Sequence, residues 1–239
     1  MKLSFNQWNY KSVRQSNSVV VLCAGPSVKA NGKKILSYIE SNNSVVFAAN
    51  YNYGSIGLSA DFTYVANDFK LGENEAKIVS PIIVPAKIFS GKINSKIAKN
   101  ALKSHQERGL LIYMSGSRKD PTTYKFTKGP LKVNKDGSLS YSRLSSAGHG
   151  CMLLSLVCRP KRLLLVGMDG PVDSQCKEKL MFDGKRVKYK KPRKNENFKN
   201  HFIDVILPTL VHYGVVVETY NDVGIYGLNK KKLGLRVLP

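Results

Sequence analysis

The stretch Asn17-Ser18-Val19-Val20-Val21-Leu22-Cys23-Ala24-Gly25-Pro26-Ser27 decides the fold. Residues 17–22 are a β-branched run of strand type. Residues 23–27 break that run. Gly25 and Pro26 punctuate a turn, and Ser27 is a favoured type at a helix start, so 28–41 reads as a helix. The same unit recurs outward from there. A second strand is expected over 44–49, ending at Asn50. A third is expected over 62–66, ending at Asn67 and Asp68, and a fourth over 78–84. Strand, polar turn, then helix or loop is the order of an α/β protein with an open, mostly parallel sheet and helices on both faces.

Beyond this repeat, 93–106 reads as a helix and 110–114 as a strand. Residues 115–143 have no clear period and carry seven Lys/Arg against Asp120 and Asp136, which reads as a basic, lid-like insertion. Order returns at Ser146-Ala147-Gly148-His149-Gly150, which leads into a short apolar helix over 151–157. A buried strand over 162–166 is closed by Gly167-Met168-Asp169-Gly170. A second basic insertion, 177–199, carries ten Lys/Arg against Glu178, Asp183 and Glu196. A helix over 200–213 and a late strand over 215–219 follow. The tail holds Lys230, Lys231, Lys232 and Arg236. No internal repeat is visible, and residues 1–239 read as one domain.

Lys and Arg number 38 against 16 Asp and Glu, a formal net charge of +22. A hydrophobic content of 42% is enough for a full core, so the surplus charge sits on the surface. There it repels itself unless an anionic partner is present. Nucleic acid, an anionic membrane and phosphorylated substrates are the candidates. No stretch approaches the ~18 apolar residues of a membrane span. Cys23, Cys151, Cys158 and Cys176 lack C-x-x-C spacing and read as buried free thiols of a reducing, cytoplasmic setting. No metal site is expected.

In open parallel sheets, ligands bind beyond the carboxyl ends of the strands. Gly25, Pro26, Ser27, Asn50, Asn67, Ser146, Gly148 and Asp169 would then converge on one cleft. The helix starts near Ser27 and Gly148 offer backbone N–H groups and positive dipole ends to a phosphate. Neither G-x-G-x-x-G nor a P-loop is present. Four histidines, His105, His149, His201 and His212, are the candidate bases. His201 and His149 lie nearest the cleft-forming segments. His212 reads as structural and His105 as solvent-exposed. The densest basic run, Lys185, Arg186, Lys188, Lys190, Lys191, Arg193 and Lys194, surrounds Tyr189. Such a run neutralises phosphates, and its tyrosine can stack on a base.

The run 20–28 resembles the first strand and N-G-P-S turn of bacterial sialyltransferases that use CMP-sialic acid. Asn50 and Asn67 resemble that family's asparagine turns. Ser146-Ala147-Gly148 and Gly167-Met168-Asp169 resemble its T-S-G helix and G-I-D strand end. Order and approximate spacing match over roughly 17–170. Ala24 stands where the family has asparagine, and Ala147 where it often has serine. The resemblance implies a nucleotide-binding α/β fold, a CMP-activated sugar and inverting transfer without a metal or added cofactor. It also implies that Gly25, Pro26, Ser27, Asn50, Asn67 and Gly148 hold CMP, with Asp169 near the nucleotide or acceptor. His201 matches the family's general base, and Tyr189 its phosphate-facing tyrosine.

The expectation is therefore a CMP-sugar-dependent glycosyltransferase. The charge assigns it a nucleic-acid acceptor, a hydroxyl on a modified base in DNA. Three alternatives stand beside it: transfer to surface glycans at an anionic membrane, an ATP-dependent pterin diphosphokinase that shares the G-P-S turn, and a nucleic-acid-binding module without catalysis.

Overall fold

The computed structural model describes residues 6–7, 13–50, 53–66, 78–85, 96–115, 132–133, 139–140, 146–170, 178–180, 184–188, 193–221 and 224–239. The expected second, third, fifth and sixth strands form as β3 (Val45–Ala49), β4 (Phe62–Tyr64), β6 (Ile112–Ser115) and β9 (Arg162–Val166). The expected first and late strands form as β2 (Ser18–Leu22) and β12 (Val216–Tyr220), the fourth begins later, as β5 (Ile82–Pro85), and the edge strands β1 (Asn6–Gln7) and β13 (Arg236–Leu238) are additions. The spatial order is β1-β6-β5-β4-β3-β2-β9-β12-β13, and every pair in this nine-stranded sheet is parallel. All five residues of β2 are buried, as expected of a parallel strand covered on both faces.

The order reverses between β2 and β9. From β2 the chain winds outward through β3, β4, β5 and β6. It then returns through α4 (Ala147–Leu154) to lay β9 on the other side of β2 and continues to β12. Crossovers of this kind are right-handed, so helices preceding β3 and β6 lie on one face and those preceding β9 and β12 on the other. The first set is α1 (Ser27–Ala30), α2 (Gly32–Asn42) and α3 (Lys96–Glu107). The second is α4 together with α5 (Arg193–His201) and α6 (Leu207–His212). No helix among the described residues is long and apolar enough to cross a membrane.

Several elements differ from expectation. The helix over 28–41 divides at Asn31, whose N–H and side-chain amide both donate to the Ser27 carbonyl, with Gly32 next in line. The helix over 200–213 begins earlier, at Arg193. It passes through a π-helical turn, Phe202–Ile206, just before Pro208. Proline has no N–H to continue the ladder, and a π turn absorbs that register defect. Thr209 Oγ1 donates to the Val205 carbonyl at 2.6 Å.

Within the expected insertion 115–143, β7 (Lys132–Val133) pairs antiparallel with β8 (Leu139–Ser140). Within 177–199, β10 (Glu178–Leu180) pairs antiparallel with β11 (Arg186–Lys188), and α5 then begins. The second basic segment is thus partly regular structure. Arg186 and Lys188 lie on β11, while Arg193 and Lys194 open α5. Tyr189, Lys190 and Lys191 lie outside the described residues, as do Asn67 and Asp68.

His105 is a correction: it is fully buried rather than exposed. It sits on the α3 face that carries Ala101 and Leu102, which form a second core cluster with Val65, Ile78, Ile82, Val84 and Ile112. Cys23, Cys151 and Cys158 are buried free thiols.

One buried carboxylate ties α2 to the sheet. Glu218 on β12 accepts from the Tyr38 hydroxyl at 2.5 Å and pairs with Arg236 of β13 at 3.2 Å. Burial, reinforced by that hydrogen bond, pushes the Tyr38 hydroxyl up to about 12. The guanidinium is 62% exposed, so solvent screens the ion pair and the buried bond to Tyr38 dominates. Glu218→Ala is expected to cost about 2 kcal/mol in urea unfolding, and Arg236→Ala no more than about 0.5 kcal/mol.

Candidate functional site

The reversal between β2 and β9 opens a crevice at the carboxyl end of the sheet, where such folds place ligands. The two strand-end loops are zipped together. Cys23 N–H donates to the Val166 carbonyl and Gly25 N–H to the Gly167 carbonyl, each at 2.8 Å. The contact leaves no room for side chains. A Cβ on Gly25 would lie 2.1 Å from Asp169 Oδ2, and one on Gly167 would lie 2.3 Å from the Cys23 carbonyl oxygen. Gly167 also has φ of +81°, which glycine adopts without strain.

Asp169 locks this junction. Its Oδ2 accepts from Ser27 N–H at 3.0 Å and from Ser27 Oγ at 2.9 Å. Its Oδ1 accepts from Gly224 N–H at 3.1 Å. The Ser27 hydroxyl in turn accepts from Gly167 N–H at 3.0 Å. The start of α1, expected to receive a phosphate, thus already faces an internal carboxylate. Ser27 is the first residue of α1 rather than its cap; Pro26 holds the cap position without a side-chain bond.

The opposite wall is the start of α4. Ser146 caps it by accepting His149 N–H on Oγ at 3.2 Å, and the first turn carries no acid. A Cβ on Gly148 would lie 2.5 Å from Cys23 Sγ, and one on Gly150 would lie 2.3 Å from the Tyr64 ring. These two glycines let the helix start sit directly on the strand ends. Asn50 closes the floor in a left-handed conformation with φ of 66°. Its N–H donates to Tyr64 O at 3.0 Å, and its Oδ1 accepts Ala66 N–H at 3.2 Å.

The resulting cleft has a volume of about 120 Å³. It is lined by Cys23, Ala24, Gly25, Ala49, Asn50, the α4 start from Ser146 to Gly148, Gly167, Met168, Gly170, Phe198 and Tyr226. An apolar cavity of about 150 Å³ holds one benzene ring, so this space fits a base or a ribose and the rest of a nucleotide would lie across the rim.

Tyr226 is the wall residue with chemical reach. Its backbone is left-handed, with φ of 51°, and its N–H donates to the Met168 carbonyl at 3.1 Å. A bulky side chain in that region costs about 1–3 kcal/mol, and such outliers concentrate at functional sites. The Tyr226 hydroxyl meets His149 Nε2 at 3.1 Å. His149 Nδ1 meets His201 Nδ1 at 3.2 Å. Burial, and then the neighbouring His201, lower the His149 imidazole to about 3. Burial lowers His201 as well, while Asp204 pulls in the opposite direction. Both rings are therefore neutral at neutral pH, and one donates its Nδ1 proton to the other. The arrangement is a buried line of three groups able to pass a proton inward from the cleft.

Of the expected nucleotide-holding residues, Gly25, Asn50, Ser146 and Gly148 line the cleft. Pro26 and Ser27 do not, and the Ser27 hydroxyl is engaged by Asp169 and Gly167. His149 and His201 come together one layer behind the wall. Lys185 is exposed on the β10–β11 ribbon. His212 is exposed, edge-on to Tyr213 at 5.4 Å. Tyr226 and Phe198 were not anticipated. The signal for Tyr226 was an aromatic residue between Gly224 and Gly227, just beyond a strand end.

No protein-family model matches the chain, and no curated protein matches it either.

Two outcomes are expected. Asp169→Ala, which removes the acceptor of three bonds, should lower unfolding free energy by about 3 kcal/mol in urea, and Ser27→Ala by about 1–2 kcal/mol. The second concerns pH. His149 is held to about 3 and His105, by burial and then Arg108, to about 4. Unfolded, both titrate near 6.5. The unfolded chain then binds protons that the folded chain refuses, so stability is full above about pH 7 and falls as pH drops toward about 4. Each histidine contributes a slope of up to about 1.4 kcal/mol per pH unit. His105→Leu should remove one such share from the slope of urea-unfolding free energy between about pH 6 and pH 4.5.

Proposed function

We propose that this protein is an inverting glycosyltransferase that uses a CMP-activated sugar without a metal and transfers it to a hydroxyl on a modified base in DNA. The observation that carries the reading is the ring-sized cleft at the topological switch, lined by the capped start of α4 and by Tyr226, whose hydroxyl meets His149 of that helix and through it His201. The cytosine or ribose would occupy the space between Gly25, Asn50 and Gly148. The α4 start, which has no acid in its first turn, would face the phosphate with its N–H groups and positive dipole end. The α1 start is answered by Asp169, so one helix end serves where the sequence suggested two.

The proton route follows from the contacts. As the acceptor oxygen attacks the anomeric carbon, the bond from that carbon to the CMP phosphate breaks and CMP departs with the electron pair. The acceptor proton passes to Tyr226 Oη as Tyr226 gives its own proton to His149 Nε2. His149 passes its Nδ1 proton to His201 Nδ1. The charge then rests on His201, the ring nearer Asp204 in electrostatic terms. His201 remains the terminal base, reached through Tyr226 and His149 rather than by direct contact. The charge of +22 supports a polyanionic acceptor, and a base in duplex DNA would be flipped out to reach the rim.

Thermal melting with CMP, UMP and ATP tests the donor. CMP at about 100 times its Kd should add roughly 2.7 kcal/mol and raise Tm by about 5 °C or more, with little effect of the others. Incubation with CMP-sugars and hydroxymethylated duplex DNA, followed by nucleoside mass analysis, tests the transfer. Tyr226→Phe should lower kcat by about 100-fold with KM nearly unchanged. Absence of any nucleotide response together with DNA binding would favour a binding module, and a response to ATP alone would overturn the CMP assignment.

A further inference from the structure

The cleft is flanked by two stretches of chain that contain no acid. Residues 24–36 carry Lys29, Lys33 and Lys34, and residues 224–239 carry Lys230, Lys231, Lys232 and Arg236. Tyr220, the last residue of β12, brings them together. Lys34 Nζ lies 5.6 Å from the centre of its ring, within cation–π range. Lys230 Nζ donates to the carbonyls of Tyr220 at 2.8 Å and Asn221 at 2.5 Å. Lys29, Lys33, Lys34, Lys231 and Lys232 are exposed. Among the described residues, the carboxylates bonded to these stretches are already engaged internally: Glu218 is buried and pairs with Arg236, and Asp169 is held by Ser27 and Gly224.

This concentration opposes folding. Lys33 and Lys34 sit in the first turn of α2, which has no acid, so two cations face the positive end of a helix dipole. Lys230 approaches from the C-terminal turn with the same sign. Charges gathered this way are stabilised by an anion that spans them.

The position supports that reading. Tyr220 ends β12 at the same end of the sheet as Leu22 and Val166, because Glu218 registers with Leu164 and Leu22 with Val166. The patch therefore borders the cleft, with Gly25 leading into α1 on one side and Tyr226 preceding Lys230 on the other. Its chemistry favours one class of polyanion. The exposed large apolar residues among those described are Val79, Leu111, Val211, Tyr213, Val216 and Val237. Val237, beside Arg236 on the edge strand β13, is the one of these within 24–36 or 224–239, and none lies among the lysines of α1, α2 and the 230–232 turn, so the lysine seat presents no apolar wedge to a bilayer surface.

We infer that the lysines of α1, α2 and the 230–232 turn form a seat for the phosphate backbone of duplex nucleic acid, positioned to present a nucleotide to the cleft rim. The inference deepens the proposed DNA acceptor and rests on that reading. Backbone contact of this kind is independent of base sequence and steeply dependent on salt.

The test is anisotropy of a fluorescein-labelled 24-bp duplex across a salt series. The seat variant is K33Q/K34Q/K231Q/K232Q. The control, K96Q/K99Q/K103Q/K161Q, removes the same charge from α3 and from the residue before β9. The seat variant is expected to bind at least about tenfold more weakly than wild type, with a salt slope smaller by roughly 2–4. The control should shift by less than about threefold and melt near wild type, and the seat variant, relieved of like charge, should melt at or above wild type. Equal weakening of the two variants would overturn the seat while leaving the DNA reading standing. Failure of wild type to bind the duplex would overturn both. Wild-type binding to phosphatidylserine vesicles in preference to the duplex, lost in the seat variant, would overturn the nucleic-acid assignment in favour of a membrane.

Discussion

The carboxylate of Asp169 fixes the geometry on which the cleft depends. It joins backbone from three separate stretches: the start of α1 at Ser27, the end of β9, and the loop after β12 at Gly224. Each bond is charge-assisted, and the negative group sits against a helix start, where it is electrostatically favoured. The cost is specificity of sequence. Gly25 and Gly167 have to remain glycine because a Cβ at either would strike this junction. The same carboxylate faces the α1 start and so, under the proposed reading, leaves the task of meeting an external anion to α4, across the cleft. One interaction thereby both shapes the cleft and makes it electrostatically one-sided.

Much of the sheet was legible because its strands carry the signal that decides them. The β-branched run 18–22 and the apolar run 162–166 are buried on both faces, so no other structure suits them. The rule that ligands gather at strand ends then located Gly25, Asn50, Ser146 and Gly148 without further information. The edge strands β1 and β13 were not legible, since two or three residues carry no period. Pro208 was visible, but the π turn that accommodates it is a response to packing on both sides of the helix. His105 was misjudged because the charged residues of α3 dominate its sequence. The spacing of Leu102 and His105, three apart, marks the buried side.

The site's inner layer was half legible. His149 and His201 could be named as candidates, but their pairing spans 52 residues, and the rings of Phe202, Phe198 and Tyr226 that pack around His149 come from distant elements. Tyr226 was hidden for a similar reason. Its hydroxyl meets a histidine 77 residues away, and its left-handed backbone is imposed by the Met168 and Gly170 loop beside it. Local pattern reports which face of an element is buried; it does not report which polar atoms two distant elements bring into register.

The excess charge bears on this inner layer as well as on the surface. A protein with a net charge of +22 raises the cost of every additional cation, so an exposed imidazole base would be held deprotonated yet surrounded by competing water. Burying the histidine pair removes the water and leaves desolvation as the main force keeping both rings neutral. Under the proposed reading, neutrality suits a relay, because each ring has to accept on one nitrogen while donating from the other. The relay still needs a place where the transferred charge is tolerated. Asp204, in the π turn between the buried Phe202 and Ile206, is the group that opposes desolvation at His201. On that reading, the π turn ahead of Pro208 also carries the carboxylate that makes His201, rather than His149, the better end point for the proton.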